Sequence, residues 1–103
     1  MASESPTPVI FRRWPGEDGK VIAIFPTLPG TYDPHTCSSY MHVGQHSSCD
    51  PAGLMAATEQ CPEYLYRDLK RELEAIGYTL EVRKRLSRAL NVRRRAELER
   101  MKP

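Results

Sequence analysis

Pro62-Glu63-Tyr64-Leu65-Tyr66-Arg67-Asp68-Leu69-Lys70-Arg71-Glu72-Leu73-Glu74-Ala75-Ile76-Gly77-Tyr78-Thr79-Leu80-Glu81-Val82-Arg83 changes its hydrophobic period once, at Gly77. Before that glycine, Leu65, Leu69, Leu73 and Ile76 recur at helical spacing, and Glu63, Arg67, Lys70, Arg71, Glu72 and Glu74 fall on the water-facing side. Pro62 suits a first turn, Thr58 or Cys61 is the candidate cap, and Gly77 supplies a left-handed stop. From Tyr78 to Arg83 the pattern alternates, which predicts a strand with Tyr78, Leu80 and Val82 inward. A helix handing directly to a half-buried strand points to an α+β fold.

Working outward, Val9-Ile10-Phe11-Arg12-Arg13-Trp14 and Val21-Ile22-Ala23-Ile24-Phe25 are β-rich runs on either side of an Asp18-Gly19 turn, so they predict a hairpin. Arg12 and Arg13 place the first run nearer a sheet edge, whereas the wholly apolar second run is expected to be covered on both faces. Pro26, Pro29 and Pro34, with Gly30 and Asp33, predict an extended loop from Thr27 to about His35. Ser39 to Val43 reads as a third strand, with Tyr40 and His42 on one face and Met41 and Val43 on the other. Gly44 to about Cys61 reads as a loop in which Leu54-Met55-Ala56-Ala57 is a short strand or a single turn. The expected architecture is a small antiparallel or mixed sheet of four to five strands with one packed helix and a charged C-terminal helix. That last helix runs from Ser87 to Met101, with Ser87 or Asn91 as cap, and Arg94 interrupts its apolar stripe of Leu86, Leu90, Leu98 and Met101. Residues 1–8 are expected to be a disordered tail, 9–86 a single α+β domain, and 87–103 a basic helical extension.

At 103 residues the chain fits one domain, and its 40% hydrophobic content is that of a compact fold rather than a disordered chain. No apolar run approaches the roughly 18 residues a membrane helix needs, and the N-terminus carries no secretory pattern, so the cytoplasm is the expected location. The three cysteines, Cys37, Cys49 and Cys61, are odd in number and match no zinc-finger spacing, which favours free thiols. Net charge is +2, unevenly spread: residues 83–103 hold nine basic and two acidic groups (+7), leaving six basic and eleven acidic groups (−5) before them. An acidic body with a basic tail suits an acidic macromolecular partner, or simply a solvated helix.

Ser38-Ser39-Tyr40-Met41-His42-Val43-Gly44-Gln45-His46, together with Tyr66-Arg67-Asp68-Leu69-Lys70-Arg71-Glu72-Leu73-Glu74-Ala75-Ile76-Gly77-Tyr78, resembles a group of small uncharacterised proteins of bacteria, their plasmids and phages. The likeness spans about residues 9–86, the Val21 to Phe25 run included. It implies a shared fold and a mobile-element setting, and no activity.

The chemistry-bearing residues concentrate at the same corner. His42 and His46 could converge with His35, Cys37, Cys49 or Cys61 on zinc, although Gly44 argues against a helix that would align them. Cys37 with His42 could form a thiolate–imidazole pair, and Ser47 or Ser48 with His46 and Asp50 could imitate a hydrolase triad, yet no nucleophile elbow or oxyanion motif accompanies either. Trp14 and Tyr40 could stack nucleic-acid bases beside Arg12 and Arg13, or simply pack on the sheet. The reading these features favour is a non-catalytic macromolecule-interaction module without cofactor or bound metal. Tyr40, His42, Gln45 and His46 form its contact surface, and Arg88, Arg93, Arg94 and Arg95 supply electrostatic attraction. A protein partner is expected first, a second copy of the chain included. Nucleic acid bound through Arg83 to Arg100 is the alternative, and a zinc- or thiol-dependent small enzyme comes second to it.

Overall fold

The computed structural model of the chain describes residues 6–16, 20–41 and 46–102. Among these described residues, six strands and three helices follow in the order β1 (Thr7–Arg13), β2 (Val21–Pro29), β3 (Cys37–Tyr40), β4 (His46–Cys49), α1 (Pro51–Ala57), β5 (Glu59–Gln60), α2 (Glu63–Ile76), β6 (Leu80–Arg83) and α3 (Arg88–Met101). They form one mixed sheet in the order β4-β3-β2-β1-β5, and β6 lies parallel to β1 along the same side that β5 occupies further on. The remaining pairings are antiparallel.

The predicted hairpin is β1–β2, with Ile10 opposite Ile24 and Arg13 opposite Val21. Contrary to the edge placement that Arg12 and Arg13 suggest, β1 is an interior strand, with β2 on one side and β5 and β6 on the other. The two arginines are explained by what they hold. Arg12 sends Nε to Thr58 Oγ1 at 3.0 Å and Nη2 to the carbonyls of Met55 (3.0 Å) and Thr58 (2.6 Å), which satisfies the end of α1 with a cation. Arg13 pairs with Glu59 of β5 at 3.2 Å.

Both faces of the sheet are covered, so β1 and β2 lose the alternation of a one-sided sheet. Val9, Phe11, Ala23, Phe25 and Tyr40 meet Leu69 and Leu73 of α2 on one face. Ile10, Ile24 and Cys37 meet Leu54 and Met55 of α1 and Leu86 on the other. Leu86 leads into α3, which packs chiefly along β2 and buries Leu90, Arg94 and Leu98. The tail from Ser87 is therefore part of the domain, not an extension of it. Thr7 and Pro8 likewise belong to β1, where Pro8 is buried and Thr7 N–H donates to the Thr79 carbonyl at 2.7 Å.

The segment between Gly44 and Cys61 holds regular structure where the composition predicts a loop. Asp50 accepts the Ala52 N–H at 3.1 Å and Pro51 opens α1, so cap and first-turn proline start that helix together. β2 also runs on to Pro29 because its prolines fall where the ladder is broken: its pairing to β3 shifts register between Phe25 and Pro29. In α2 the buried pair is Leu69 and Leu73, and Tyr66 stacks on Phe11 with centroids 4.3 Å apart. Ile76, expected inside, is 53% exposed, and Pro62 itself occupies the cap position without a side-chain cap bond. Val82, also expected inside, is exposed. Ser87 caps α3 as expected, accepting the Leu90 N–H at 3.2 Å.

Gly77 closes α2 at φ +127°, donating to the carbonyls of Leu73 and Glu74. A side chain there meets no neighbour but must adopt a backbone that L-residues disfavour. Gly77→Ala is expected to destabilise the fold by about 1–2 kcal/mol, read as a lower urea midpoint at unchanged slope.

Candidate functional site

The β3–β4 corner is where the sheet stops. β4 pairs with β3 through Tyr40↔His46, Ser39↔Ser47, Ser38↔Ser48 and Cys37↔Cys49, and among the described residues no strand pairs with its other side. His46, Ser47 and Ser48 are exposed and Cys49 is half-buried. Side chains alternate, so His46 lies on the α2 face with Tyr40, and Cys49 lies on the α1 face with Cys37.

On the α2 face the His46 ring stands edge-on to Tyr40, with centroids 4.6 Å apart, and its Nε2 lies 3.1 Å from the Tyr78 hydroxyl. Tyr78 is stacked on Phe25 in turn, at 5.0 Å. Tyr40 donates its hydroxyl to Glu72 of α2. Burial pushes the Tyr78 phenol above its ordinary value. This arrangement orients an exposed imidazole.

The sequence-derived contact residues separate here. His46 is exposed at the corner, while His42 and Gln45 lie outside the described residues. Tyr40 is only 1% exposed, so it supports the corner from below and cannot be an accessible contact. In α3, Arg88, Arg93 and Arg95 are exposed, whereas Arg94 is buried and bonded to the carbonyls of Pro26 (2.8 Å) and Pro34 (3.3 Å) and to Asn91 Oδ1 (2.8 Å). Arg94 is thus a structural residue, because a guanidinium turned onto backbone carbonyls is withdrawn from any partner. His35 sits on an exposed turn, its N–H bonded to Asp33 Oδ1. Cys61 packs on the α2 face, away from Cys37 and Cys49. Among the described residues, no three of His, Cys, Asp and Glu are grouped to hold a metal ion.

Two features escape the sequence reading. On the α1 face, beside β4, lies a groove of about 500 Å³ whose walls include Trp14, Ile22, Met41 and Leu54, with Ser47 and Cys49 along its rim. A second cleft, of about 590 Å³, lies at the opposite edge between Phe11, Tyr66, Val82 and Arg83. A signal for β4 does exist in the spacing: one antiparallel register pairs both Tyr40 with His46 and Cys37 with Cys49.

No membrane-crossing candidate exists among the helices: none in the described residues is long and apolar enough. The chain matches no family model, no curated protein and no solved structure, so the reading of this corner rests on its own residues.

Proposed function

We propose that the protein is a non-catalytic interaction module of the bacterial or phage cytoplasm that binds a protein partner, an extended segment of which adds to the open edge of β4. The observation that carries this reading is the edge itself: four residues, His46–Cys49, paired on one side only among the described residues and solvent-exposed over three of them. An extended peptide can complete such an edge with main-chain hydrogen bonds, and a neighbouring pocket then selects its side chains. The groove lined by Trp14, Ile22, Met41 and Leu54 also touches Ser47 and Cys49 of β4, so it adjoins the open edge. His46 offers an oriented polar contact on the other face.

Capture from a lysate treated with nuclease tests this reading. Ser47→Lys puts a charge on the edge and into the groove, and edge lysines discourage strand addition. It is expected to lower partner recovery at least ~10-fold, and His46→Ala by roughly 5-fold, each with a near-native unfolding midpoint. Arg93→Ala and Arg95→Ala are expected to leave recovery unchanged. Nucleic acid bound at the exposed Arg88, Arg93 and Arg95 predicts the reverse: capture lost on nuclease treatment, steep salt dependence and sensitivity to the arginine variants.

A further inference from the structure

Cys37 and Cys49 are directly opposed across β3 and β4, and their sulfurs are 3.5 Å apart. Opposed residues of an antiparallel pair have Cα separations of about 4.5–5.5 Å, inside the roughly 4.4–6.8 Å that a disulfide spans. Closing the sulfurs to a bond of about 2.05 Å therefore needs side-chain rotation and no shift of strands. The two thiols differ in access: Cys37 is fully buried, whereas Cys49 is half-buried and lines the groove beside Trp14.

We infer that Cys37 and Cys49 form a reversible dithiol–disulfide couple, in which Cys49 meets a peroxide and Cys37 resolves the product. The Cys49 thiolate attacks the outer oxygen of a hydroperoxide, the O–O bond breaks, and an alcohol (water from hydrogen peroxide) leaves with a proton. Cys49 is then a sulfenic acid. The Cys37 sulfur attacks it, the S–O bond breaks, and the Cys37 proton departs with the hydroxyl as water. Two thiols have lost two electrons and two protons, and one peroxide has been reduced. A small dithiol returns both electrons and restores the thiols.

The electrostatics agree with this division of roles. The hydrogen bond between the two sulfurs lowers the Cys49 thiol from its ordinary value and raises that of Cys37. Ser39 assists Cys49 in the same sense, while burial and Asp50 oppose it, and Arg94 lowers both thiols. Burial raises Cys61, which lies on the other face and serves as the reference thiol. The product staples an edge strand to its neighbour across a loop of about a dozen residues, a closure that raises the thermal midpoint by roughly 10 °C.

The full chain, treated with one equivalent of hydrogen peroxide, tests the couple. Intact mass is expected to fall by two hydrogens, alkylation in denaturant to mark Cys61 alone, and dithiothreitol to return all three cysteines to alkylation. In Cys37→Ser the sulfenic acid has no resolving partner, so a dimedone adduct accumulates at Cys49. In Cys49→Ser, Cys37 stays unmodified over the same exposure. The inference is overturned if Cys49 remains alkylatable, if it advances to sulfinic acid in the wild-type chain, or if the product is a dimer linked through Cys61. The wild-type measurement decides the matter even if a variant fails to fold.

Discussion

A chain ended at Ser87 is expected to lose its cooperative unfolding transition altogether, not merely to lose a cationic arm. Leu90 and Leu98 are 1% and 2% exposed against the body of the domain, and each such leucine contributes about 2–5 kcal/mol. Arg94, between them in the same buried row, adds hydrogen bonds to two backbone carbonyls. Removing all three exceeds or matches the whole net stability of a domain this size, about 5–15 kcal/mol. Truncation after Ser87 should therefore give a collapsed amide spectrum and no sigmoidal urea curve. If the shortened chain unfolds cooperatively near the full-length midpoint, α3 is no part of the folded core, and β2 needs no cover from it. Because truncation unfolds the domain, loss of a binding activity on truncation says nothing about where the partner touches. Single exposed residues, Arg88, Arg93 and Arg95, are the right probes for that question.

What the sequence discloses divides along one physical line. The β1–β2 hairpin, α2, its stop at Gly77 and the Ser87 cap are written in short-range signals, and the structure contains them all. The interior position of β1 is not, because its second set of neighbours, β5 and β6, comes from about 50 and 70 residues further along the chain. Arg12 and Arg13 mislead, since charge within a strand ordinarily marks exposure. β4 has no apolar alternation to find: His46, Ser47 and Ser48 sit on an open edge and bury little. α1 is seven residues long and has its C-terminal carbonyls satisfied by Arg12, so half of its definition comes from another element. At the candidate site, histidine and tyrosine are legible by type. That Tyr40 is buried and His46 exposed, though both lie on the α2 face, rests on partners about 30 residues away, Glu72 for Tyr40 and Tyr78 for His46. Leu90, Arg94 and Leu98 do follow helical spacing, four apart, and the arginine reads as an interruption only while its hydrogen-bond acceptors are unknown.

Those acceptors account for the second large effect expected. The pairing of β2 with β3 shifts register between Phe25 and Pro29, and its register with β1 spans Val21 to Ile24, so Pro26 stands at a break in both ladders. Arg94 supplies the missing donors: Nη1 reaches the Pro26 carbonyl and Asn91 Oδ1, each at 2.8 Å, and Nη2 reaches the Pro34 carbonyl at 3.3 Å. Its Nε finds no acceptor among the described residues, so binding runs through the two Nη groups. Arg94→Ala leaves the buried Pro26 carbonyl without its arginine donor, at about 1–3 kcal/mol, and opens a cavity where the stem had packed. A total loss of about 3–5 kcal/mol is expected, seen as a fall in urea midpoint with the slope unchanged. Arg94→Lys keeps the cation but presents one ammonium where a planar fork had spanned separate acceptors, so it should recover no more than about half of that loss. Arg94→Met keeps much of the volume and none of the donors, which isolates the hydrogen-bond contribution from packing. The flanking Arg93→Ala and Arg95→Ala, both at exposed positions, should stay within about 0.5 kcal/mol of the wild type. Equal small effects at 93, 94 and 95 would return Arg94 to the surface and leave the bulged end of β2 without its donor.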